Sequence, residues 1–189
     1  MNRILVSLAF VAMSAAGFIT AASAEAGLFV VTATTQILKK AHEPQKLTTH
    51  AGTVECTTDT GTGTMVALHA LTLRLTDTFS GCKAFGLAAT VSPAEFEFSA
   101  DGTIRVLKTI TIKAIQCLVT VSSAKNTSLS TIKYTNVTSG VIVQPEITGI
   151  TSSGTGAACE YAEESKGTYL GRQLLATDAG AALTWVNTP

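Results

Sequence analysis

The sequence has few charged and few aromatic residues, at 14% and 6% of its 189 residues, and its formal net charge is zero. Its longest run of basic residues is the pair Lys39-Lys40. Nucleic acids and anionic membranes attract proteins through a concentrated positive field. We therefore expect neither nucleic acid nor a membrane surface among the partners of this protein.

The sequence also lacks the common motifs of metal, nucleotide and serine chemistry. No Cys-x-x-Cys pair or Gly-x-Ser-x-Gly motif occurs, and the three histidines show no metal-ligand spacing with the cysteines. The segment Gly61–Gly63 lacks the third glycine and the following helix of a dinucleotide-binding loop. Ser-x-x-Lys begins at Ser80, Ser122 and Ser130, but in strand or loop sequence and without the companion motifs of penicillin-interacting enzymes. These absences predict no metal ion, no cofactor and no catalytic site.

Residues 1–24 have the features of a secretory signal peptide. A positive start at Arg3 precedes an apolar stretch from Ile4, which ends in the small-x-small cleavage pattern Ala22-Ser23-Ala24. The polar interruptions of the stretch and the cleavage pattern disfavour the alternative, an uncleaved membrane anchor. Cleavage leaves residues 25–189, a mature chain of 165 residues (189 − 24), as one domain. No later segment approaches the ~18 apolar residues of a spanning helix, so we predict a secreted, extracellular protein without membrane contact after cleavage.

All four cysteines, Cys56, Cys82, Cys117 and Cys159, lie in the mature part. An even number of cysteines in an exported chain predicts two disulfides, and four cysteines allow three pairings. We favour Cys56–Cys82 and Cys117–Cys159, because these bridges close local loops of 26 and 42 positions (82 − 56 and 159 − 117) without crossed connections. In the chain-entropy model each bridge would stabilise the fold by roughly 3–4 kcal/mol.

The segment 95–106 alternates polar and apolar residues on both sides of Asp101-Gly102, which predicts a half-buried β-hairpin. A two-residue loop would place Phe98 opposite Arg105 and mismatch every pair. A three-residue loop, with Gly102 in the left-handed region, places Phe98 opposite Ile104 and leaves a charge pair on the other face. Because a slip of one residue moves every side chain to the opposite face, the apolar pattern selects the three-residue loop.

The rest of the mature chain is typical of an all-β protein. Its thirty threonines (31 in the chain less Thr20) suit the solvent face of strands, and strand-like segments recur every 8–12 residues with turn signals between them. We predict an antiparallel β-sandwich or open barrel. Short helices are predicted around Thr35–His42 and Tyr161–Ser165, and loops over Thr57–Gly63, Ser122–Ser130 and Thr151–Ala158.

Several short motifs follow one another in a familiar order after the signal peptide. They are AGTVEC at 51–56, FSGC at 79–82, IQCLVTV at 115–121, IKYTN at 132–136, ITGI at 147–150, GAAC at 156–159 and GTYLG at 167–171. This order resembles that of the uncharacterised secreted four-cysteine proteins of high-GC Gram-positive soil bacteria. The resemblance covers most of the mature chain and implies export and an all-β fold, but no activity.

Few side chains are candidates for chemistry. Glu95 and Glu97 share one strand face, as the carboxylates of a glycosidase could, although a solvated face opposite Phe96 and Phe98 is the simpler interpretation. An acidic cluster could bind Ca²⁺, although a solvated loop is the preferred interpretation: Glu160, Glu163, Glu164 and Asp178. His69 is a lone histidine in a strand. Three aromatic residues could bind sugar but suit the core better: Tyr161, Tyr169 and Trp185.

The sequence leads to three functional hypotheses. The first is a secreted, disulfide-stabilised, non-catalytic protein that binds an extracellular ligand or cell-surface component, or builds extracellular structure. The second is a secreted hydrolase that uses Glu95 and Glu97. The third is a pilin-like subunit in which Leu28–Thr35 completes the sheet of a neighbouring copy. We favour the first, because no convergent set of titratable groups is visible in the sequence.

Overall fold

The computed structural model describes residues 26–178 and 182–188. The predicted signal peptide, residues 1–24, lies outside the described residues. The described part consists of β-strands, turns and loops, and none of it forms a helix that could cross a membrane. The strands are β1 (Ala26–Val31), β2 (Thr35–Ala41), β3 (Gln45–Thr49), β4 (Gly52–Met65), β5 (His69–Ala70), β6 (Thr72–Ala84), β7 (Leu87–Ala88), β8 (Thr90–Val91), β9 (Ala94–Ser99), β10 (Ile104–Val106), β11 (Ile110–Ala114), β12 (Cys117–Val121), β13 (Ile132–Val137), β14 (Gly140–Thr155), β15 (Tyr161–Leu170), β16 (Gln173–Thr177) and β17 (Leu183–Thr188).

Fourteen of these strands form one antiparallel sheet that closes on itself. The long strands β4, β6 and β14 each fill one position, and β7, β8 and β9 together fill another. The other four positions are each shared by two strands: β2 and β3, β10 and β11, β12 and β13, and β15 and β16. Each position pairs with the next, and β15 and β16 pair with β3 and β2 to complete the circuit. The result is an eight-position, up-and-down barrel.

The all-β antiparallel prediction is confirmed, and of the predicted sandwich and open barrel the strand pairing favours a barrel, whose circuit of pairings is closed. Alternation along the strands fills the barrel: in β6, Leu73, Leu75 and Asp77 are buried while the residues between them are exposed. Threonines occupy many of the outward positions, such as Thr72 and Thr76, where a β-branched side chain fits the pleated surface.

A separate three-stranded sheet of β17, β1 and β5 covers one end of the barrel. Phe29 of β1 is fully buried and meets the Tyr134 ring edge-on, with 5.2 Å between centroids. Trp185 of β17 donates from Nε1 to the Ala100 carbonyl oxygen at 2.9 Å, and its backbone N–H donates to Asn136 Oδ1 at 2.8 Å. These contacts join the cap to the barrel.

The structure corrects the two helix predictions. Thr35–Ala41 is strand β2, in which Thr35, Ile37 and Lys39 face inward, and Tyr161–Leu170 is strand β15. Both segments lie between two partner strands, β2 between β4 and β16 and β15 between β14 and β3. The backbone hydrogen bonds to these neighbours outweigh a weak local preference for helix.

The loop predicted over Thr57–Gly63 is wrong, the loop predicted over Thr151–Ala158 is confirmed only for 156–158, and the third is confirmed. Thr57–Gly63 lies inside β4, and Thr151–Thr155 belongs to the end of β14. Both segments are rich in Thr, Ser and Gly, and in β4 glycine serves close packing, because a Cβ at Gly63 would overlap the Arg74 carbonyl oxygen. No regular strand is formed over 122–130, as predicted, and Asn126 anchors this loop with hydrogen bonds to Thr151 N and O.

The predicted hairpin is confirmed in its register. Phe98 pairs with Ile104, Glu97 with Arg105 and Phe96 with Val106 across β9 and β10. Gly102 has φ of 86°, in the left-handed region that the three-residue loop requires. The apolar pattern of the sequence therefore predicted the register of the hairpin correctly.

Both predicted disulfides are present, and no cysteine among the described residues is free. Cys56 and Cys82 lie directly opposite each other on β4 and β6, with Cα atoms 3.9 Å apart. Cys117 begins β12 and reaches Cys159 in the turn between β14 and β15, with Cα atoms 5.3 Å apart.

We predict that Gly102→Ala lowers the free energy of unfolding by about 1–2 kcal/mol, because alanine in the left-handed region is strained. Its Cβ would also approach the Ile132 carbonyl oxygen to 3.0 Å. Gly102→Asn is the matched control and should cost less, since asparagine tolerates this region. Urea denaturation measures both, and equal costs for the two variants would contradict the prediction.

Candidate functional site

A cluster of six polar side chains lies on the inner wall of the barrel: Lys39, Gln45, Asp59, Asp77, Tyr169 and Gln173. Their strands follow one another around the circuit, with β15 and β16 beside β3 and β2, and then β4 and β6. The closure of the sheet therefore brings together residues that are more than a hundred positions apart in the chain. We call this group the inner polar cluster.

Three charged groups form its centre. The Lys39 ammonium nitrogen lies 2.9 Å from Asp59 Oδ2 and is in direct contact with Asp77 Oδ2. The exposed fractions of these side chains are 1% for Lys39 and 0% for both aspartates, so solvent does not reach them. The rings of Phe96 and Phe98 lie 5.6 and 5.7 Å from the same nitrogen and provide cation–π contacts.

Gly61 makes the central contact possible. In the sheet register Lys39 of β2 is opposite Gly61 of β4, and Gly61 is opposite Asp77 of β6. A Cβ at Gly61 would overlap Asp77 Oδ1 and lie 3.2 Å from Lys39 Cβ. The glycine therefore leaves the space in which the lysine and the aspartate meet across the intervening strand.

The neutral members of the cluster hold Asp59 in place. Gln173 donates from Nε2 to Asp59 Oδ2 at 3.1 Å and to Gln45 Oε1 at 2.8 Å. The Tyr169 hydroxyl donates to Gln45 Oε1 at 2.6 Å and lies 2.9 Å from the Gln173 amide nitrogen. Asp59 Oδ1 and Asp77 Oδ1 have no hydrogen-bond partner within the described part of the chain.

Burial sets the protonation of the two aspartates. Burial raises the pKa of Asp77 to about 6, because the Lys39 charge only partly offsets the loss of solvent and the nearby Asp59 adds to the rise. Burial likewise raises the pKa of Asp59 against the opposing effect of Lys39. Burial alone would lower the pKa of Lys39, but the charges of Asp77 and Asp59 outweigh it and the pKa is raised. Lysine therefore stays charged between two carboxyl groups, one of which readily takes a proton.

The cluster borders an apolar cavity of about 70 Å³ inside the barrel. Its wall includes Phe96, Phe98, Ile112 and Ile147. Pockets that hold drug-sized ligands have volumes of roughly 300–1,000 Å³. The cavity has room for a few water molecules, at roughly 10–15 Å³ each, but not for a sugar or a lipid.

The carboxylates proposed for a hydrolase do not belong to this cluster. Glu97 Oε2 accepts from Arg74 Nε at 2.7 Å, and its other oxygen lies 3.6 Å from Arg105 Nη1. Glu95 Oε1 lies 4.0 Å from Lys108 Nζ on the solvent side. Both carboxylates are therefore engaged in outward-facing ion pairs.

The acidic and histidine candidates are placed apart from one another. Glu163 pairs with Lys125 at 3.2 Å, whereas Glu164 lies 3.4 Å from His50 and 3.5 Å from Lys166. His69 is an exposed residue of β5. Within residues 26–178 and 182–188, no three His, Cys, Asp or Glu side chains are arranged to hold a metal ion.

The aromatic candidates lie in the core, as the sequence favoured. Tyr161 is buried with its hydroxyl 2.9 Å from Ser152 Oγ, and Trp185, which belongs to the cap, is half-buried against the barrel. Tyr169 has a role that sequence reasoning missed, since it belongs to the inner polar cluster.

Lys39, Asp59 and Asp77 were missed because no local pattern joins them. Because a helix was predicted over Thr35–His42, Lys39 was not recognised as an inward-facing strand residue. Because a loop was predicted over Thr57–Gly63, neither was Asp59. One signal was present: the alternation of Leu73 and Leu75 continues to Asp77, which marks that aspartate as inward-facing.

No family model and no curated protein matches the sequence, and no solved structure matches the fold.

We predict that Lys39→Met lowers the free energy of unfolding by about 3–5 kcal/mol, because it leaves two buried carboxyl groups without their cation. The matched control is Lys40→Met, one residue further on the exposed side of β2, which should change stability by less than about 0.5 kcal/mol. Urea denaturation at pH 7 measures both. Similar, small losses in the two variants would show that the inner charges are not interdependent.

In the Lys39→Met variant, stability should rise as the pH falls from 7 to 5. Its carboxyl groups keep the pKa increase caused by burial and lose the opposing effect of lysine. The folded state then binds protons that the unfolded state, with carboxyl pKa values near 3.9, still releases. Urea midpoints at both pH values test this, and a midpoint that falls in acid would contradict it.

Proposed function

We propose that this protein is a secreted, non-catalytic structural protein of the extracellular space. The observation that carries the proposal is the sealing of its charged centre: Lys39, Asp59 and Asp77 are at most 1% exposed in their side chains, so no substrate reaches them. Groups that act on substrates need access, which a cluster sealed inside the barrel does not have.

The two disulfides support an extracellular location. Disulfides persist in oxidising compartments and are rare in the reducing cytosol. One bridge ties β4 to β6 within the barrel wall, and the other ties the start of β12 to the turn after β14. Together with the signal peptide predicted from residues 1–24, they favour export.

The alternatives from the sequence receive less support. The hydrolase hypothesis requires free carboxylates, whereas Glu97 is held by two arginines. The pilin-like hypothesis requires an unpaired N-terminal segment, whereas residues 26–31 already pair with 183–188 of the same chain. A ligand-binding barrel requires a larger interior than about 70 Å³.

A second candidate function is contact with a cell-surface component through one end of the barrel. The turn Phe85-Gly86 and the turn Ile115-Gln116 present exposed apolar tips, Phe85 at 57% and Ile115 at 66% exposure. Phe85 and Ala114 line one small depression at this end. Exposed apolar side chains that cluster favour an interaction site.

Mass spectrometry of protein purified from culture medium tests the structural proposal. We expect a denatured mass that lacks residues 1–24, native and denatured spectra without a bound small molecule, and no thiol that reacts with iodoacetamide before reduction. Free thiols would contradict extracellular oxidation. A small-molecule adduct that is lost on denaturation would favour a binding protein instead.

The second candidate predicts that Phe85→Asp with Ile115→Asp lowers retention on cell-wall fractions by at least tenfold, without changing the urea midpoint. Leu68→Asp is the matched control, because Leu68 is an exposed apolar residue, 48% exposed, in the connection between β4 and β5. Equal retention of wild type and the double variant would contradict a role for this end.

A further inference from the structure

The inner polar cluster contains the three components of a condensation between side chains. An amine and a carboxyl group are in direct contact, since Lys39 Nζ touches Asp77 Oδ2. A second carboxyl group lies beside the amine, with Asp59 Oδ2 at 2.9 Å from the same nitrogen. Holding reacting groups together in this way replaces a collision between molecules by an internal step, which accelerates such reactions by large factors.

The surroundings favour a neutral product. The three side chains are sealed from solvent, and Phe96 and Phe98 face the lysine nitrogen. Keeping ions in such a place costs them their hydration, which their mutual attraction must replace. An amide between Lys39 and Asp77, formed with Asp59 left protonated, leaves no charge among the three groups, and the water that it releases has room in the adjoining cavity.

We propose that Lys39 and Asp77 condense to an intramolecular amide, an isopeptide bond that joins β2 to β6 across Gly61, with Asp59 as the proton carrier. Reaction starts from the Lys39 ammonium, the Asp59 carboxylate and the protonated Asp77 carboxyl group. Asp59 takes one proton from the ammonium, and the free amine attacks Cγ of Asp77 while the carbonyl electron pair moves to Oδ1.

The tetrahedral intermediate then collapses. Asp59 gives its proton to the departing hydroxyl of Asp77, which leaves as water, and takes a proton from the amide nitrogen in return. One C–N bond forms, one C–O bond breaks and one water is released, while Asp59 ends protonated. No oxidant, reductant or other reactant is required. Burial raises the pKa of both carboxyl groups. Asp77 is therefore available in its protonated form, and the Asp59 carboxylate is a stronger base than an exposed one.

The other lysine–carboxylate pairs of the chain provide a contrast. Lys133 Nζ lies 3.1 Å from Glu146 Oε2, but these side chains are 66% and 42% exposed and no second carboxyl group is paired with this lysine. Hydrated ions at such a site gain nothing from losing their charge. The structure therefore assigns the bond to Lys39 and not to the surface pairs.

Intact-mass spectrometry of the reduced and denatured protein tests the proposal. We expect the wild type to weigh one water molecule less than its sequence, and digestion to give one branched peptide that contains both Lys39 and Asp77. Asp77→Ala and Lys39→Met should each restore the full mass. Lys133→Met, the surface control, should keep the wild-type mass loss.

The role of Asp59 has its own measurement. In Asp59→Asn, the rate at which the linked mass appears after refolding should fall by roughly 10²–10⁴-fold, the usual contribution of general acid–base catalysis. A circular-dichroism spectrum confirms that the variant is folded. A wild-type protein that is folded and keeps the full mass after prolonged incubation at neutral pH would overturn the proposal, and so would a water loss that persists in Asp77→Ala.

This inference deepens the proposed structural role, but the two fail separately. Absence of the water loss, with oxidised cysteines and no small-molecule adduct, would remove the amide and leave the disulfide-stabilised structural protein. A linked mass in a protein that carries a dissociable ligand would remove the structural role and keep the bond.

Discussion

The closure of the sheet is the constraint on which the rest of this structure depends. The pairing of β16 with β2 and of β15 with β3 turns an antiparallel meander into a barrel with an inside. Leu175 and Lys39 are partners across this seam, and Gln173 reaches Asp59 from it. Without the seam, the charged residues would face water as ordinary surface groups. With it, they become a sealed centre, and their hydration must be replaced by one another.

Gly61 of β4 allows a side chain of β2 to contact a side chain of β6. Cross-strand neighbours in a sheet usually pack side chain against side chain. At Gly61 the middle side chain is missing, and the residues on either side meet directly. The disulfide between Cys56 and Cys82 lies on the same pair of strands, β4 and β6, toward their other end. The wall formed by β2, β4 and β6 is therefore held by a disulfide and by buried ionic contacts as well as by its backbone hydrogen bonds.

Local pattern was sufficient for much of the fold and insufficient for its centre. The alternation of polar and apolar residues was enough to predict the register of the Phe98–Ile104 hairpin. The preference for disulfides that close local loops without crossing was enough to predict the pairing of the cysteines. The strands at Thr35–Ala41 and within Thr57–Gly63 could not be predicted in this way, because their hydrogen-bond partners are distant in sequence. The inner polar cluster depends on those two strands. The cluster could therefore not be predicted before all the strand pairings were known, although the alternation of β6 already predicted an inward-facing Asp77.

The cap brings the two ends of the described chain side by side, with Ala26 opposite Thr188 and Val31 opposite Leu183 in antiparallel register. A pulling force applied at these ends loads the hydrogen bonds between β1 and β17 in unzipping geometry. It therefore breaks them one residue pair at a time and not all at once. The cap strands therefore separate first under tension, at low force. Load then passes to β2 and β16, which are antiparallel neighbours pulled at the same end, with Thr177 opposite Ile37, so the seam of the barrel is the next part to open pair by pair.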